Sequence, residues 1–346
     1  MLQRRALINA VGVAIGVAGL AFVGVRIYRD WDELTATLDS AQPAWLATAV
    51  LAGVVSMAII GINWLALIRR RGHDAPHRRG MSWFFTGQLG KYVPGGIWPV
   101  VGQAEFASRG GVDRRSSYLA TASSMAFTLL GAVTVAAVCG LASPYDRRFT
   151  AALLTLGVAV GLAALAIPQV RAVVARAATA VTRGRAELPE APVVVLFTLR
   201  HVPVWVMFGA MNVCVLTALG GGRDPGLSVG LVVDMLFASA LSWIVGFVVV
   251  GVPGGIGVRE SVFVALMTGP LGATLALSVA VAGRLVTIAV DLLAALLAGT
   301  IARFPPPPSA VSVRSPLDVA TDEADHPDPL LQRGSDPAPD GGRPPA

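Results

Sequence analysis

Apolar runs of roughly the length of a membrane-crossing helix recur along residues 1–303, separated by short joints rich in arginine and aspartate. A helix needs about 20 apolar residues to cross the hydrocarbon core of a bilayer. The first run covers residues 6–25, follows Arg4 and Arg5, and is followed by Asp30, Asp32, Glu33 and Asp39. Its length, and the hydrophobic segments behind it, predict a retained first span rather than a cleaved signal peptide. The second run covers 45–68 and ends in Arg69, Arg70 and Arg71, with Arg78 and Arg79 beyond. Further spans are predicted at 116–141, 149–166, 191–219, 227–250 and 273–302. The pattern predicts an all-α polytopic integral membrane protein with about seven to eight transmembrane helices. The positive-inside bias assigns the N-terminus, the arginine-rich joints and the loop 169–190 to the cytoplasm, and the first aspartate-rich joint to the outside.

Two stretches break this pattern. Residues 82–108 hold Lys91, Pro94, Gly95, Gly96, Pro99 and Glu105. A continuous lipid-facing helix does not carry Pro-Gly-Gly at its centre, because the freed backbone groups would find no partners in hydrocarbon. Two half-helices meeting at the turn fit better, and the basic residues at both ends predict a re-entrant hairpin that enters and leaves on one face. The second break, at 251–268, carries Pro253, Gly254, Gly255, Arg259 and Glu260. Val93-Pro94-Gly95-Gly96-Ile97 and Val252-Pro253-Gly254-Gly255-Ile256 are identical at an offset of 159 residues. Paired interrupted segments in the two halves of a chain point to a transporter-like site at the interface of a repeat. The topology count permits an inverted repeat. It does not require one, since 227–250 is long enough for a full span.

Composition narrows the class. Hydrophobic residues make up 54% of the chain and charged residues 14%, with a mean hydropathy of +0.67. An ordinary soluble domain is about a quarter charged, so a soluble enzyme, a nucleic-acid-binding domain and a disordered regulator are excluded as whole-chain readings. The net charge is +6, yet residues 305–346 hold seven acidic residues against three arginines, which leaves +10 on the remainder. That tail also holds 11 of the 23 prolines. It reads as a disordered cytoplasmic tail (304–346) behind a transmembrane domain (1–303), with docking of a cytoplasmic partner as its minority role. Of the 27 basic residues, 26 are arginine and one is Lys91, a bias that points to a GC-rich bacterial genome. Cys139 and Cys214 are isolated, and His73, His77, His201 and His326 have no ligand spacing, so no metal or cofactor is expected.

Charges inside the apolar segments are the remaining signal: Lys91, Glu105, Arg200, Asp234, Arg259, Glu260, Arg284 and Asp291. Such charges are costly and commonly face a cavity or one another. Arg200 and Asp234 are expected to be neutralised or interfacial. Lys91, Glu105, Arg259, Glu260, Arg284 and Asp291 are the substrate-binding candidates. Arg284 and Asp291, seven apart, share one helix face. Cations beside half-helix N-termini suit a phosphate, and a nearby glutamate suits an amine or hydroxyl. A phospholipid or a polyprenyl-phosphate-linked glycan meets both requirements.

The run Gly87-Gln88-Leu89-Gly90-Lys91-Tyr92-Val93-Pro94-Gly95-Gly96, with Val252-Pro253-Gly254-Gly255-Ile256-Gly257-Val258-Arg259-Glu260, resembles the flippase-like family. That family comprises the transmembrane region of lysylphosphatidylglycerol synthases and their stand-alone relatives. The resemblance covers about 6–303. By it, Lys91, Pro94, Gly95 and Gly96 match the first motif, and Pro253, Gly254, Gly255, Arg259 and Glu260 the second. Arg284 sits where the family commonly has an arginine. Where relatives often carry a Glu-Arg pair and a later aspartate, this chain has Ser123-Ser124-Met125-Ala126-Phe127. The tail is too short for the soluble aminoacyl-transferring domain of the full synthases.

The resemblance implies a flippase or transporter of a phospholipid or lipid-linked precursor across the bacterial plasma membrane. One competing reading is a non-transporting membrane anchor for a lipid-modifying synthetase or glycosyltransferase. Another is an integral-membrane lipid transferase. Against the transferase, no loop pairs a base with a nucleophile, carries an aspartate-rich metal motif or forms a phosphate loop. No enzymatic activity and no direct ATP coupling are therefore expected.

Overall fold

The computed structural model describes residues 41–92, 98–166, 189–220, 226–249 and 253–303, with a few isolated positions before residue 40. The predicted first span, the turn at Pro94, Gly95 and Gly96, most of the loop 169–190 and the tail lie outside the described residues.

The regular elements among the described residues are all helical. In order they are α1 (Pro43–Arg70), α2 (His77–Gln88), a 3-10 turn (Leu89–Tyr92), α3 (Trp98–Arg109), α4 (Arg114–Ala142) and α5 (Arg148–Ala166). After these come α6 (Ala191–Leu219), α7 (Val229–Val248), a second 3-10 turn (Pro253–Gly255), α8 (Val258–Leu271) and α9 (Ala273–Arg303). Five of them, α1, α4, α6, α7 and residues 273–300 of α9, are long and apolar enough to cross a membrane. The protein is therefore a multi-pass membrane protein. The count of seven to eight is not reached among the described residues. The run at 149–166 forms the 19-residue α5, packed along α4.

Leucines on α9 divide its faces. Leu285, Leu292 and Leu296 are exposed, as a lipid-facing stripe must be, while Asp291 is buried. Between α1, α6 and α9 the core is built from small and branched side chains, including Ala49, Met211, Val215, Ala276 and Val279.

The first broken stretch is a pair of short helices. At 1.5 Å per residue, α2 and α3 with 12 residues each span about 18 Å, against about 30 Å of hydrocarbon. They touch through glycine. A Cβ on Gly87 would stand 2.6 Å from the Gln103 amide nitrogen and 2.9 Å from its Cα, so the helices approach this closely only without one. The second stretch differs in its leading arm. The 20-residue α7 precedes its turn where the first has only the 12-residue α2.

Helices α1 and α6 run antiparallel along their length. The Gln42 amide donates to the Ala218 carbonyl at 2.9 Å, Ser56 Oγ to the Val204 carbonyl at 2.9 Å and Asn63 Nδ2 to the Arg200 carbonyl at 2.9 Å. The last two bonds flank Pro203, which lies inside α6 and cannot donate to the preceding turn. Polar side chains of α1 thus bind α6 carbonyls beside the disrupted turn and hold the two helices together.

The packing is symmetric under an exchange of halves. Swap α1 with α6, α2 with α7, α3 with α8 and α4 with α9, and each contact maps onto another that exists. The α2–α9 contact becomes α7–α4, α2–α3 becomes α7–α8, α3–α4 becomes α8–α9, and α1–α4 becomes α6–α9. The two 3-10 turns touch each other and map onto themselves, as does the α1–α6 pair. Registers agree as well. Ser82 on α2 bonds the Ala298 carbonyl of α9, while Ser143, just past α4, bonds Asp234 of α7, so both pairs are antiparallel. Among the described helices only α5 has no counterpart. The 159-residue offset of the Pro-Gly-Gly motifs is the trace of this repeat.

Candidate substrate cavity

A cavity of about 600 Å³ lies where the two halves meet. With the 159-residue offset, four pairs of equivalent positions line it together: Phe84 with Trp243, Gln88 with Phe247, Val100 with Arg259 and Thr128 with Thr287. The cavity therefore straddles the pseudo-twofold axis. Lys91 and both glycines of the second turn, Gly254 and Gly255, also face it.

Lys91 ends the first 3-10 turn region with its ammonium 2.7 Å from each carboxylate oxygen of Asp291 on α9. The Tyr92 hydroxyl donates to the same carboxylate in a short hydrogen bond. The Asp291 side chain is fully buried, whereas that of Lys91 keeps 24% exposure on the cavity side. An unpaired carboxylate here would be prohibitively desolvated, so two donors converge on it.

The second tip is tied to the same helix two turns away. Arg284 Nη1 donates to the Gly254 carbonyl at 3.2 Å, and its Nε lies 3.7 Å from Glu260 Oε1. Gly254 has φ +59, and a Cβ on it would press within 2.9 Å of the Arg284 guanidinium, so the turn requires glycine on both counts. Glu260 reaches back to the start of α8, accepting from the Gly257 amide at 2.6 Å. One carboxylate thus caps α8 and faces Arg284.

Arg259 is positioned differently. Its guanidinium stacks over Trp243 at 5.4 Å from the ring centroid. Its Nε is buried without a hydrogen-bond partner, and it forms no ion pair among the described residues. Gly246 and Gly255 make room for it. A Cβ on Gly255 would stand 2.8 Å from Nε. Beside the cavity, a recess of about 50 Å³ is lined by Arg259, Glu260 and Arg284 with Asn212 and Ser242.

Five of the six candidates therefore cluster. Lys91 and Arg259 line the cavity, Glu260 and Arg284 the recess, and Asp291 stands behind Lys91. Glu105 is apart from them. It accepts from Arg114 at 2.6 Å and from Tyr118 at 3.1 Å near the ends of α3 and α4, and does not line the cavity. The turn residues Pro94, Gly95 and Gly96 lie outside the described residues. Asp234 is neutralised, as expected for a buried carboxylate, by Arg147 at 3.1 Å and 3.2 Å and by Ser143 at 2.9 Å. Among the described residues Arg200 has no carboxylate partner. It donates to Asn63 Oδ1 at 2.9 Å.

Sequence reasoning passed over Tyr92, Trp243 and Arg147. Tyr92 adjoins Lys91 and was legible as a motif neighbour. Trp243 sits 159 residues after Phe84, so the repeat could have found it. Arg147 lies in a short joint between spans, where an arginine ordinarily reads as a flanking charge.

The family model for the lysylphosphatidylglycerol synthase TM region matches residues 9–295. No curated protein matches the chain significantly.

Proposed function

This chain belongs to the lysylphosphatidylglycerol synthase TM region family, and from that premise we propose that it moves a phospholipid or lipid-linked precursor across the plasma membrane. The observation that carries the reading is the cavity on the pseudo-twofold axis, lined by equivalent positions of both halves. The equivalent helices α1 and α6 are antiparallel, and only an axis perpendicular to both exchanges them. In a membrane such an axis lies in the bilayer plane, which is the arrangement of an inverted repeat. The first short pair is then a re-entrant hairpin from the cytoplasmic face. The second turn is reached from the opposite face, and the two tips meet at mid-depth around the cavity.

The lining suits an amphipathic cargo. Lys91 and Arg259 offer charge to a headgroup, while Phe84, Phe208, Trp205 and Trp243 offer apolar surface to hydrocarbon. The role is that of a carrier, with no bond made or broken.

The test is translocation of reporter-labelled phospholipids by the purified full chain in proteoliposomes, with Lys91→Ala and Glu260→Ala beside the wild type. The expected result is headgroup-dependent translocation, lost in both variants. Equal leak in all samples, with the protein folded, overturns the reading.

A further inference from the structure

Charge around the cavity does not balance. Lys91 is matched by Asp291, and Arg284 faces Glu260. Arg259 has no carboxylate among the described residues, and its Nε is buried without a partner. Among the described residues, three cations against two carboxylates leave one positive charge at the cavity wall. The adjoining segments 93–97 and 250–252 contain only valine, proline, glycine and isoleucine, so they bring no counter-charge.

The imbalance is confined to one side. The repeat places Val100 opposite Arg259, Val101 opposite Glu260 and Met125 opposite Arg284. Val100 and Met125 line the cavity as apolar counterparts of the two arginines. A symmetric frame thus carries an asymmetric lining, with a cation on α8 where α3 has Val100, and with polar Gln103 but no charge among the α3 lining residues. A buried cation without a partner is costly in a water-poor site, and a bound anion removes that cost. The guanidinium lies over the Trp243 ring, and its fork of donors suits gripping two oxygens in parallel.

We infer that the cavity selects a lipid of net charge −1, with its phosphodiester at Arg259 and its chains toward the Val100 and Met125 side. This rests on the transport reading for its lipid and deepens it by fixing the headgroup's charge. Charge, rather than headgroup chemistry, sets the preference. Phosphatidylglycerol and phosphatidylserine are therefore equivalent, and a neutral, net-cationic or pyrophosphate lipid is disfavoured.

Native mass spectrometry of the full chain in detergent tests this, with lipids of matched chains supplied in equal amounts. Phosphatidylglycerol and phosphatidylserine are expected to be retained about tenfold over phosphatidylcholine, roughly the effect of one modest charge-assisted contact. Arg259→Gln should abolish the preference, and Arg259→Lys should keep most of it. Circular dichroism verifies that each variant is folded, and the lysine variant separates loss of charge from loss of packing. Equal retention of phosphatidylcholine overturns the inference, as does an undiminished preference in folded Arg259→Gln. Better retention of lysylated phosphatidylglycerol or of a pyrophosphate lipid also overturns it. Glycerophosphoglycerol, the same anion without chains, is expected to compete poorly. If it binds as tightly as the lipid, the ligand is a soluble anion and the lipid assignment fails. An anion preference without translocation in proteoliposomes supports this inference and sinks the transport reading, and translocation with no headgroup preference does the reverse.

Discussion

Lys91 and Asp291 are 200 residues apart in the chain and 2.7 Å apart in space, so one ion pair ties the first 3-10 turn to α9. Removing one partner leaves the other desolvated. Asp291→Asn should lower stability by about 3 kcal/mol, the scale seen when one member of a buried pair is deleted. The double variant Lys91→Met with Asp291→Leu should lose clearly less, since no charge is stranded. Thermal unfolding in detergent decides it. A double variant as unstable as the single would mean that packing, and not charge, dominates there.

The Arg147–Asp234 pair makes a second, independent case. Asp234 is fully buried and takes two donors from Arg147, whose guanidinium also donates to the Leu266 carbonyl of α8 and lies over Phe237. Arg147→Gln should cost about 3 kcal/mol. Adding Asp234→Asn should recover part of it. The pair lies outside the cavity, so headgroup preference should be unchanged in whatever fraction remains folded. A change in that preference would argue for coupling between the two regions.

Gly87 and Gly246 are equivalent by the 159-residue offset, yet alanine should act differently at each. At Gly87 the new methyl meets Gln103 backbone, which cannot move without separating α2 from α3. At Gly246 it presses on Cγ of the Arg259 side chain, a clash that a rotamer change relieves without moving backbone. Gly87→Ala should therefore destabilise by more than 1 kcal/mol or so, within the usual cost of overpacking. Gly246→Ala should fold near normally and weaken anion preference. Equal unfolding midpoints for the two would contradict this assignment.

Sidedness is open to direct labelling. In a Cys139→Ser, Cys214→Ser background, Arg79→Cys marks the start of α2 and Val229→Cys the start of α7, both exposed positions. An impermeant maleimide should reach residue 79 from the cytoplasmic face only and residue 229 from the opposite face only. Labelling of both from one face rules out the inverted repeat.

Much of this was legible in the sequence, for identifiable reasons. Apolar runs report helices long enough to cross, and α1, α4, α6, α7 and α9 appear within a few residues of their predicted bounds. The second Pro-Gly-Gly marked the break between α7 and α8, where Gly254 and Gly255 take positive φ; the first lies outside the described residues, between α2 and α3 in the chain. Pairing was harder. Glu105 reads like any other embedded carboxylate, and only the fold sets it beside Arg114 and Tyr118. The bond between Lys91 and Asp291 spans most of the chain, and nothing local specifies it. The imbalance at Arg259 emerged only once each neighbouring charge had been given its partner.

Near-interchangeable halves have a mechanical consequence. For any tilt of one half against the other, the frame has a mirror-role counterpart of almost the same energy, in which the halves trade parts. Under the transport reading, two conformations would come from one packing solution. What breaks the tie between them is whatever the halves do not share, and at the cavity that includes Arg259 where the other half has Val100 and Phe247 where it has Gln88. On that same reading, such differences would favour one arrangement over the other, and an anion held at Arg259 would shift that balance.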